Sequence, residues 1–152
     1  QNVDNLHERA GSTRIIHLHG ELTKVRPENC CNEFDGFSEE TVFDIGSDAI
    51  TVGDLAPNGA QLRPHIVWFG EAVPKIEDAI MALRGIDAFV IIGTSLNVYP
   101  AAGLLNYVSA HAPVFLIDPN EVHVTRRGVT VIRKGASEGV RLLIDEYLSK
   151  IK

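Results

Sequence analysis

Residues 87–95 read DAFVIIGTS and residues 113–119 read PVFLIDP. Each stretch holds four consecutive large apolar residues and is bounded by Gly, Pro or Asp, which is typical of a short strand buried on both faces. A third apolar strand is predicted at 129–135, VTVIRKG. Helices are predicted between and after these strands, at 100–110 and at 137–151, the second with Ser137 as its candidate cap. Apolar strands that alternate with helices predict an α/β fold with a parallel sheet covered by helices on both faces.

The first half of the sequence is less regular. RIIHLHG, at 14–20, predicts a strand that ends at Gly20, and PHIVWFG, at 64–70, predicts another. PKIEDAIMALRG, at 74–85, predicts a helix that begins after a proline and stops at a glycine. Residues 24–62 are rich in glycine and acids without clear periodicity, which predicts a small irregular lobe.

Composition excludes several classes of function. The 152 residues carry a formal net charge of −6, so no basic field is available to bind nucleic acid or an anionic membrane. No apolar run approaches the ~20 residues that span a bilayer. The two cysteines, Cys30 and Cys31, are neighbours and cannot frame a disulfide scaffold, so we expect a cytoplasmic protein.

Parallel sheets bind ligands at the carboxyl ends of their strands, so the loops after the strands are candidate sites. Gly93, Thr94 and Ser95 follow the first apolar strand, where a glycine and two hydroxyls can cradle a phosphate or a ribose. A plain strand-to-helix turn with capping hydroxyls explains them equally well.

Histidines and amides mark a second set of candidates. His17 and His19 would share one side of a strand, which suits a metal pair or a base beside a structural histidine, although further metal ligands at a strong spacing are missing. His19 is the better base because it stands at the predicted strand end. Asn2 and Asp4 can orient a carboxamide and a ribose hydroxyl, or can form an Asx turn into a helix.

Aromatic residues mark a third set. In VWFGE, at 67–71, a strand end can present its backbone to an extended peptide, or the large side chains can simply pack in a core.

Five motifs in this order, QNVDNLHERAGS, HLHGEL, LRPHIVWFGEAVP, IIGTSLNVYPAAGL and a late KGAS, resemble the sirtuin family of NAD-dependent protein deacylases. The VYPAA form is most similar to the bacterial, deacylase-type branch. The resemblance implies a Rossmann-like NAD-binding domain at 1–23 and 63–152. Residues 24–62 would form a small lobe in place of the usual zinc module, with the active site in the cleft between the domain and the lobe.

The resemblance also implies residue roles. His19 and Asn2 would be catalytic, with His19 as the base that deprotonates ribose hydroxyls. Acyl-lysine would enter a channel formed by Val67, Phe69, Gly70, Glu71 and Val98. NAD would be held by Gln1, Asn2, Asp4, Gly93, Thr94, Ser95, Asn120 and Ala136.

The implied activity moves an acyl group from lysine to ADP-ribose and releases nicotinamide, with acyl-lysine peptides or proteins as partners. Two alternatives remain open: an NAD hydrolase of sirtuin type, and a module that binds NAD or acyl-lysine without turnover. The family's glycine-rich phosphate loop is missing, so we expect a chain that lacks the N-terminal part of the NAD domain, binds NAD weakly and is inactive alone. The family's paired CxxC motifs are also missing, so we expect no metal.

Overall fold

The computed structural model describes residues 1–28, 31–32, 36–37 and 41–150. The chain divides into two compact units, Gln1–Ala79 and Ile80–Lys152, called here the first and the second unit. Among the described residues, no helix combines the length and the apolar character that a membrane crossing requires.

The second unit is built on a parallel three-stranded sheet. Its strands are β6 (Phe89–Ile92), β7 (Val114–Ile117) and β8 (Val129–Ile132), in the order β6-β7-β8. Side chains of β7 alternate between two apolar clusters: Val114 and Leu116 pack with Leu105, and Phe115 and Ile117 pack with Leu143. Both faces of the central strand are therefore covered, which confirms the predicted α/β fold.

Helices flank this sheet with some differences from the predicted bounds. The segment predicted as a helix at 100–110 is a 3-10 helix, Ala101–Tyr107. The last helix, α3, spans Ala136–Glu146 and is followed by a 3-10 turn at Leu148–Lys150. Its cap is Gly135 in an extended conformation, because the Gly139 N–H already bonds the Gly135 carbonyl at 2.8 Å. The prediction that Ser137 caps the helix is therefore wrong, since Ser137 lies inside the first turn.

The first unit is mainly antiparallel. A short helix, α1 (Leu6–Arg9), precedes β1 (Gly20–Pro27), which pairs with β4 (Phe43–Asp44) on one side and β5 (Leu62–Ile66) on the other. The remaining elements are a two-stranded ladder, β2 (Cys31–Asn32) with β3 (Gly36–Phe37), and α2 (Ile76–Ala82), which lies within the predicted helix and crosses the unit boundary.

Two strand predictions in this unit are wrong in their bounds. Residues 14–19 are not a strand: the Gly20 N–H bonds the His17 carbonyl at 3.1 Å and closes a turn, and β1 only begins there. Gly20 has φ +84°, and a Cβ at this position would stand 2.0 Å from the His65 carbonyl oxygen. Only glycine permits this approach of β1 to β5. β5 itself stops at Ile66, four residues before the predicted end.

The division of the chain into 1–23 with 63–152 and a separate 24–62 lobe stays a prediction. β1 runs continuously through residues 20–27 and joins the two predicted parts by backbone pairing.

Candidate functional site

His19 is held in a defined tautomer by the start of the chain. Its Nδ1 lies 3.3 Å from the Gln1 carbonyl oxygen, which can only accept, so Nδ1 carries the proton and Nε2 keeps its lone pair. Burial lowers the pKa of His19 below its usual value of 6.5, outweighing the hydrogen bond to Gln1, which raises it. The imidazole is therefore neutral at pH 7 and can accept a proton at Nε2.

The N-terminal segment runs beside β1. The Leu22 N–H donates to the Val3 carbonyl at 2.8 Å, which holds Gln1–Asp4 against the strand that follows His19. Asp4 Oδ1 accepts the Leu6 N–H at 3.0 Å, so the Asx turn that the sequence left as an alternative is present. Asn2 lies in this segment and is exposed.

His17 does not share a strand face with His19. Its Nε2 is 2.5 Å from a Glu8 carboxylate oxygen and 3.7 Å from one of Glu21, whose other oxygen pairs with the Lys24 ammonium at 2.7 Å. The ligand atoms of Glu8, His17 and Glu21 lie within 4.8 Å of one another, although Lys24 already neutralises part of their charge. The expected absence of a metal stays a prediction.

The cysteines add little to this question. Cys30 lies outside the described residues, and Cys31 is described only as part of β2.

The first residue of the segment Val67–Glu71 is hydrogen-bonded to His19. The Val67 N–H donates to the His19 carbonyl at 2.9 Å, and the Glu71 N–H donates to the Trp68 carbonyl at 3.0 Å to close a turn. Trp68 is 54% and Phe69 95% exposed, so these aromatic side chains do not fill a core, and Gly70 turns the chain with φ +92°. The segment therefore offers an exposed aromatic surface that starts next to the backbone of the candidate base.

Glu71 faces arginines. Its carboxylate binds Arg63 at 2.6 Å and Arg26 at 3.5 Å, and also accepts the Trp68 N–H at 3.0 Å. Burial alone would raise the pKa of Glu71, but the hydrogen bonds from Arg63 and Trp68, with the positive charges of both arginines, lower it. Sequence reasoning missed Arg26 and Arg63, because only the register of β1 and β5 reveals that they face one carboxylate.

In the second unit the candidate cofactor residues gather at one edge of the sheet. Ile92, Ile117 and Ile132 are aligned across the three strands, so the loops after them leave the same edge. The loops after β6 and β7 carry the predicted residues Gly93, Thr94, Ser95 and Asn120, and the predicted residue Ala136 begins α3, which follows the loop after β8.

Local bonds fix these loops. Gly93 has φ +63° and donates to the Ile117 carbonyl at 3.0 Å, while Thr94 Oγ1 accepts the Leu96 N–H at 3.3 Å, as a turn-forming hydroxyl does. Asp118 is buried, and its Oδ1 accepts the Asn120 N–H at 2.8 Å. Ser95 is exposed, and the Val98 carbonyl accepts the Ala102 N–H at 2.9 Å at the start of the 3-10 helix.

The structure thus brings the predicted residues together in two groups. His19, Gln1–Asp4 and Val67–Glu71 form one group in the first unit, and the loops after β6, β7 and β8 form the other in the second. That both groups contact one dinucleotide stays a prediction.

Comparison with known proteins points to one family. The sequence profile described as "Sir2 family" matches residues 1–100. A Bacteroides thetaiotaomicron protein named NAD-dependent protein deacylase is 57% identical over 146 residues, which cover 94% of this chain and 60% of the relative. A Helicobacter pylori (strain J99) protein of the same name is 50% identical over 119 residues, 78% of this chain and 47% of the relative.

Comparison with solved structures points to the same family. A Sir2 homologue in complex with NAD superposes with a TM-score of 0.78 at 35% identity, covering 95% of this chain and 55% of that one. A Sir2 complex with a p53 peptide and NAD+ gives 0.71 at 25% identity, covering 95% and 60%. The chain thus spans 47–60% of the length of these four proteins.

Proposed function

Because the chain belongs to the Sir2 family, we propose that it supplies the catalytic base, the acyl-lysine segment and part of the NAD site of an NAD-dependent protein-lysine deacylase. The relatives named above as deacylases and the neighbours solved with NAD and with a peptide support this proposal. We place the protein in a bacterium, because the two relatives named above are bacterial, and in its cytoplasm, because the adjacent Cys30 and Cys31 frame no disulfide scaffold.

One observation carries the proposal. His19 donates through Nδ1 to the Gln1 carbonyl, which leaves Nε2 as a proton acceptor, and the His19 carbonyl anchors Val67 at 2.9 Å. The base and the start of the peptide-binding segment are therefore fixed to each other by a backbone hydrogen bond. A base acts only within hydrogen-bond reach of the proton it removes, and the short link between His19 and Val67 supports our assignment of the acyl-lysine to the neighbourhood of Nε2.

The loops at the edge of the second-unit sheet fit a dinucleotide. A Cβ at Gly93 would meet nothing within 4 Å, so ligand atoms can approach the backbone there, and Ser95, two residues further along, is exposed. The first turn of α3 has no side-chain cap, so its N–H groups can receive an anionic group near Ala136. We assign these groups, together with Asn120, to NAD.

NAD would supply the ribose carbon to which the acyl oxygen adds as nicotinamide leaves, and the hydroxyl that finally carries the acyl group. The chain's own part is to hold and deprotonate. His19 Nε2 takes the proton of that hydroxyl. Asn2 and Asp4, with Gln1, orient the ribose that carries the nicotinamide and the carboxamide of the nicotinamide ring. Phe69 excludes water from the reacting carbon as a wall of the acyl channel, and Gly70 lets the chain turn around the acyl-lysine.

The test compares NAD consumption with and without an acyl-lysine peptide. Because the chain spans 60% of the B. thetaiotaomicron relative, it is assayed alone and as a chimera in which that relative supplies the length outside the alignment. We expect the chain alone to be inactive. The chimera should form nicotinamide, deacylated peptide and O-acyl-ADP-ribose in equal amounts, and only when peptide is present. Equal nicotinamide release without peptide would instead identify an NAD hydrolase.

A further inference from the structure

We propose that Glu71 is a positioning residue rather than a wall of the acyl channel: it holds Val67–Glu71 in its peptide-binding shape by bridging Arg26 and Arg63. This inference rests on the proposed function for its biological meaning, but its structural part can be tested without any turnover.

The two arginines create the need for a bridge. Arg26 of β1 and Arg63 of β5 are direct cross-strand partners. Like charges placed opposite each other destabilise an antiparallel pair, and Arg26 is almost fully buried, with its side chain 3% exposed. The Glu71 carboxylate lies between them, with one oxygen 2.6 Å from Arg63 and the other 3.5 Å from Arg26. One acid therefore screens both guanidinium groups.

The same carboxylate shapes the segment that follows β5. Its second oxygen accepts the Trp68 N–H at 3.0 Å, while the Glu71 N–H donates to the Trp68 carbonyl. Trp68 is thus tied to Glu71 through both of its backbone polar groups. The other end of the segment is tied to His19 through Val67, so the exposed side chain of Phe69 projects from a loop fixed at both ends.

Replacing Glu71 by Gln keeps the size of the side chain and removes its charge. The amide no longer neutralises the facing arginines, and the Trp68 N–H loses a charged acceptor, so the turn should loosen. The β1–β5 pair should weaken but persist, because its backbone pairing extends well beyond the two arginines. A residue that only lined the channel would leave the turn intact on this substitution.

Trp68 is the single tryptophan of the chain, so its fluorescence reports on this turn alone. Acrylamide quenching is measured on the 152-residue chain for wild type, Glu71→Gln and the matched control Glu77→Gln, an exposed acid of α2. We expect the quenching constant to be higher in Glu71→Gln than in wild type, by up to about twofold. The limit arises because Trp68 is already 54% exposed, so full exposure would no more than about double its contact with the quencher. Unchanged quenching in Glu71→Gln, with a far-ultraviolet circular dichroism spectrum like that of wild type, would overturn the proposal.

A double-mutant cycle with Arg63→Gln asks whether Glu71 acts through the arginine. We expect the effect of Glu71→Gln on quenching to be smaller in the Arg63→Gln background, because the two groups are coupled in one contact. Fully additive effects contradict the bridge. General unfolding is recognised separately, because it would remove the folded far-ultraviolet circular dichroism spectrum of Glu71→Gln with or without Arg63→Gln.

The functional arm uses the chimera defined above. Glu71→Gln should raise the KM for the acyl-lysine peptide by about tenfold, as loss of a charged hydrogen bond at a part-exposed site does, with the KM for NAD unchanged. If wild type turns over and the peptide KM does not move, the positioning role is wrong. If wild type does not turn over but quenching rises in Glu71→Gln, the positioning role stands and the proposed function fails.

Discussion

His65 gives the first unit a predictable sensitivity to acid. Its side chain lies in β5 directly opposite Glu21 and is 7% exposed as a residue. Burial, followed by the positive charge of Arg26, lowers the pKa of His65 from 6.5 to about 4, although Glu21 acts in the opposite direction. The folded state therefore binds a proton less readily than the unfolded chain. The stability that the neutral, buried His65 contributes is fully present well above pH 6.5 and is lost progressively as the pH falls from about 6.5 towards 4.

The size of the loss follows from these two pKa values. Between pH 7.5 and pH 5.0 the unfolded chain gains almost a full proton at His65 while the folded state gains very little. Linkage converts this difference into a loss of about 2 kcal/mol in the free energy of unfolding. His65→Gln removes the titrating group and keeps a polar side chain of similar length, so this part of the pH dependence should vanish.

Urea unfolding followed through Trp68 fluorescence tests the value, because Trp68 lies in the same unit as His65. Wild type should lose about 2 kcal/mol more than His65→Gln between the two pH values. His111→Gln, at an exposed histidine of the second unit, should retain the wild-type dependence. The reasoning is refuted if His65→Gln and wild type lose the same free energy on acidification.

Two further substitutions test the fold. Gly20→Ala should destabilise the first unit by roughly 3 kcal/mol or more, because the new Cβ clashes with a β5 carbonyl and the backbone is in the left-handed region. Gly11→Ala, with φ +92° but open space around it, should cost only about 1–2 kcal/mol. Equal losses in urea titrations would argue against the close approach of β1 to β5. Arg126→Gln should lower the stability of the second unit by about 1–3 kcal/mol, while the exposed Arg127→Gln should change it by less than about 0.5 kcal/mol, measured by thermal unfolding. The reason is that the Arg126 guanidinium bonds three backbone carbonyls around the end of the 3-10 helix, those of Leu105, Val108 and Ser109. Equal melting shifts in the two arginine variants would contradict this role.

Sequence alone predicts the second unit well because its strands are continuous apolar runs between clear stop signals. In the first unit, by contrast, the pattern is ambiguous: the apolar and polar residues of RIIHLHG, at 14–20, could equally belong to a strand or to an extended segment that ends in a turn. The choice is made by Gly20, whose positive φ and approach to the His65 carbonyl depend on a strand more than forty residues further along the chain. Such a tertiary contact leaves no local pattern.

The candidate site shows the same limit. The order of the motifs was enough to single out His19, but its tautomer follows from a contact with Gln1 eighteen residues away. The resemblance to the sirtuin family placed Glu71 in the acyl channel, and the residues around it gave no sign of another role. Its two arginine partners are set by the register of β1 and β5, which no spacing in the sequence specifies.

The role of His19 is tested most directly by the rate of acyl transfer in the chimera, with saturating NAD and an acetyl-lysine peptide. His19→Ala should lower kcat by about 10²–10⁴-fold, the range in which general base catalysis contributes, while His111→Ala should leave it unchanged. In the wild-type protein, kcat/KM should fall on the acid side with an apparent pKa below 6.5, in line with the lowered pKa of His19. A His19→Ala enzyme that deacylates the peptide at the wild-type rate would contradict the account.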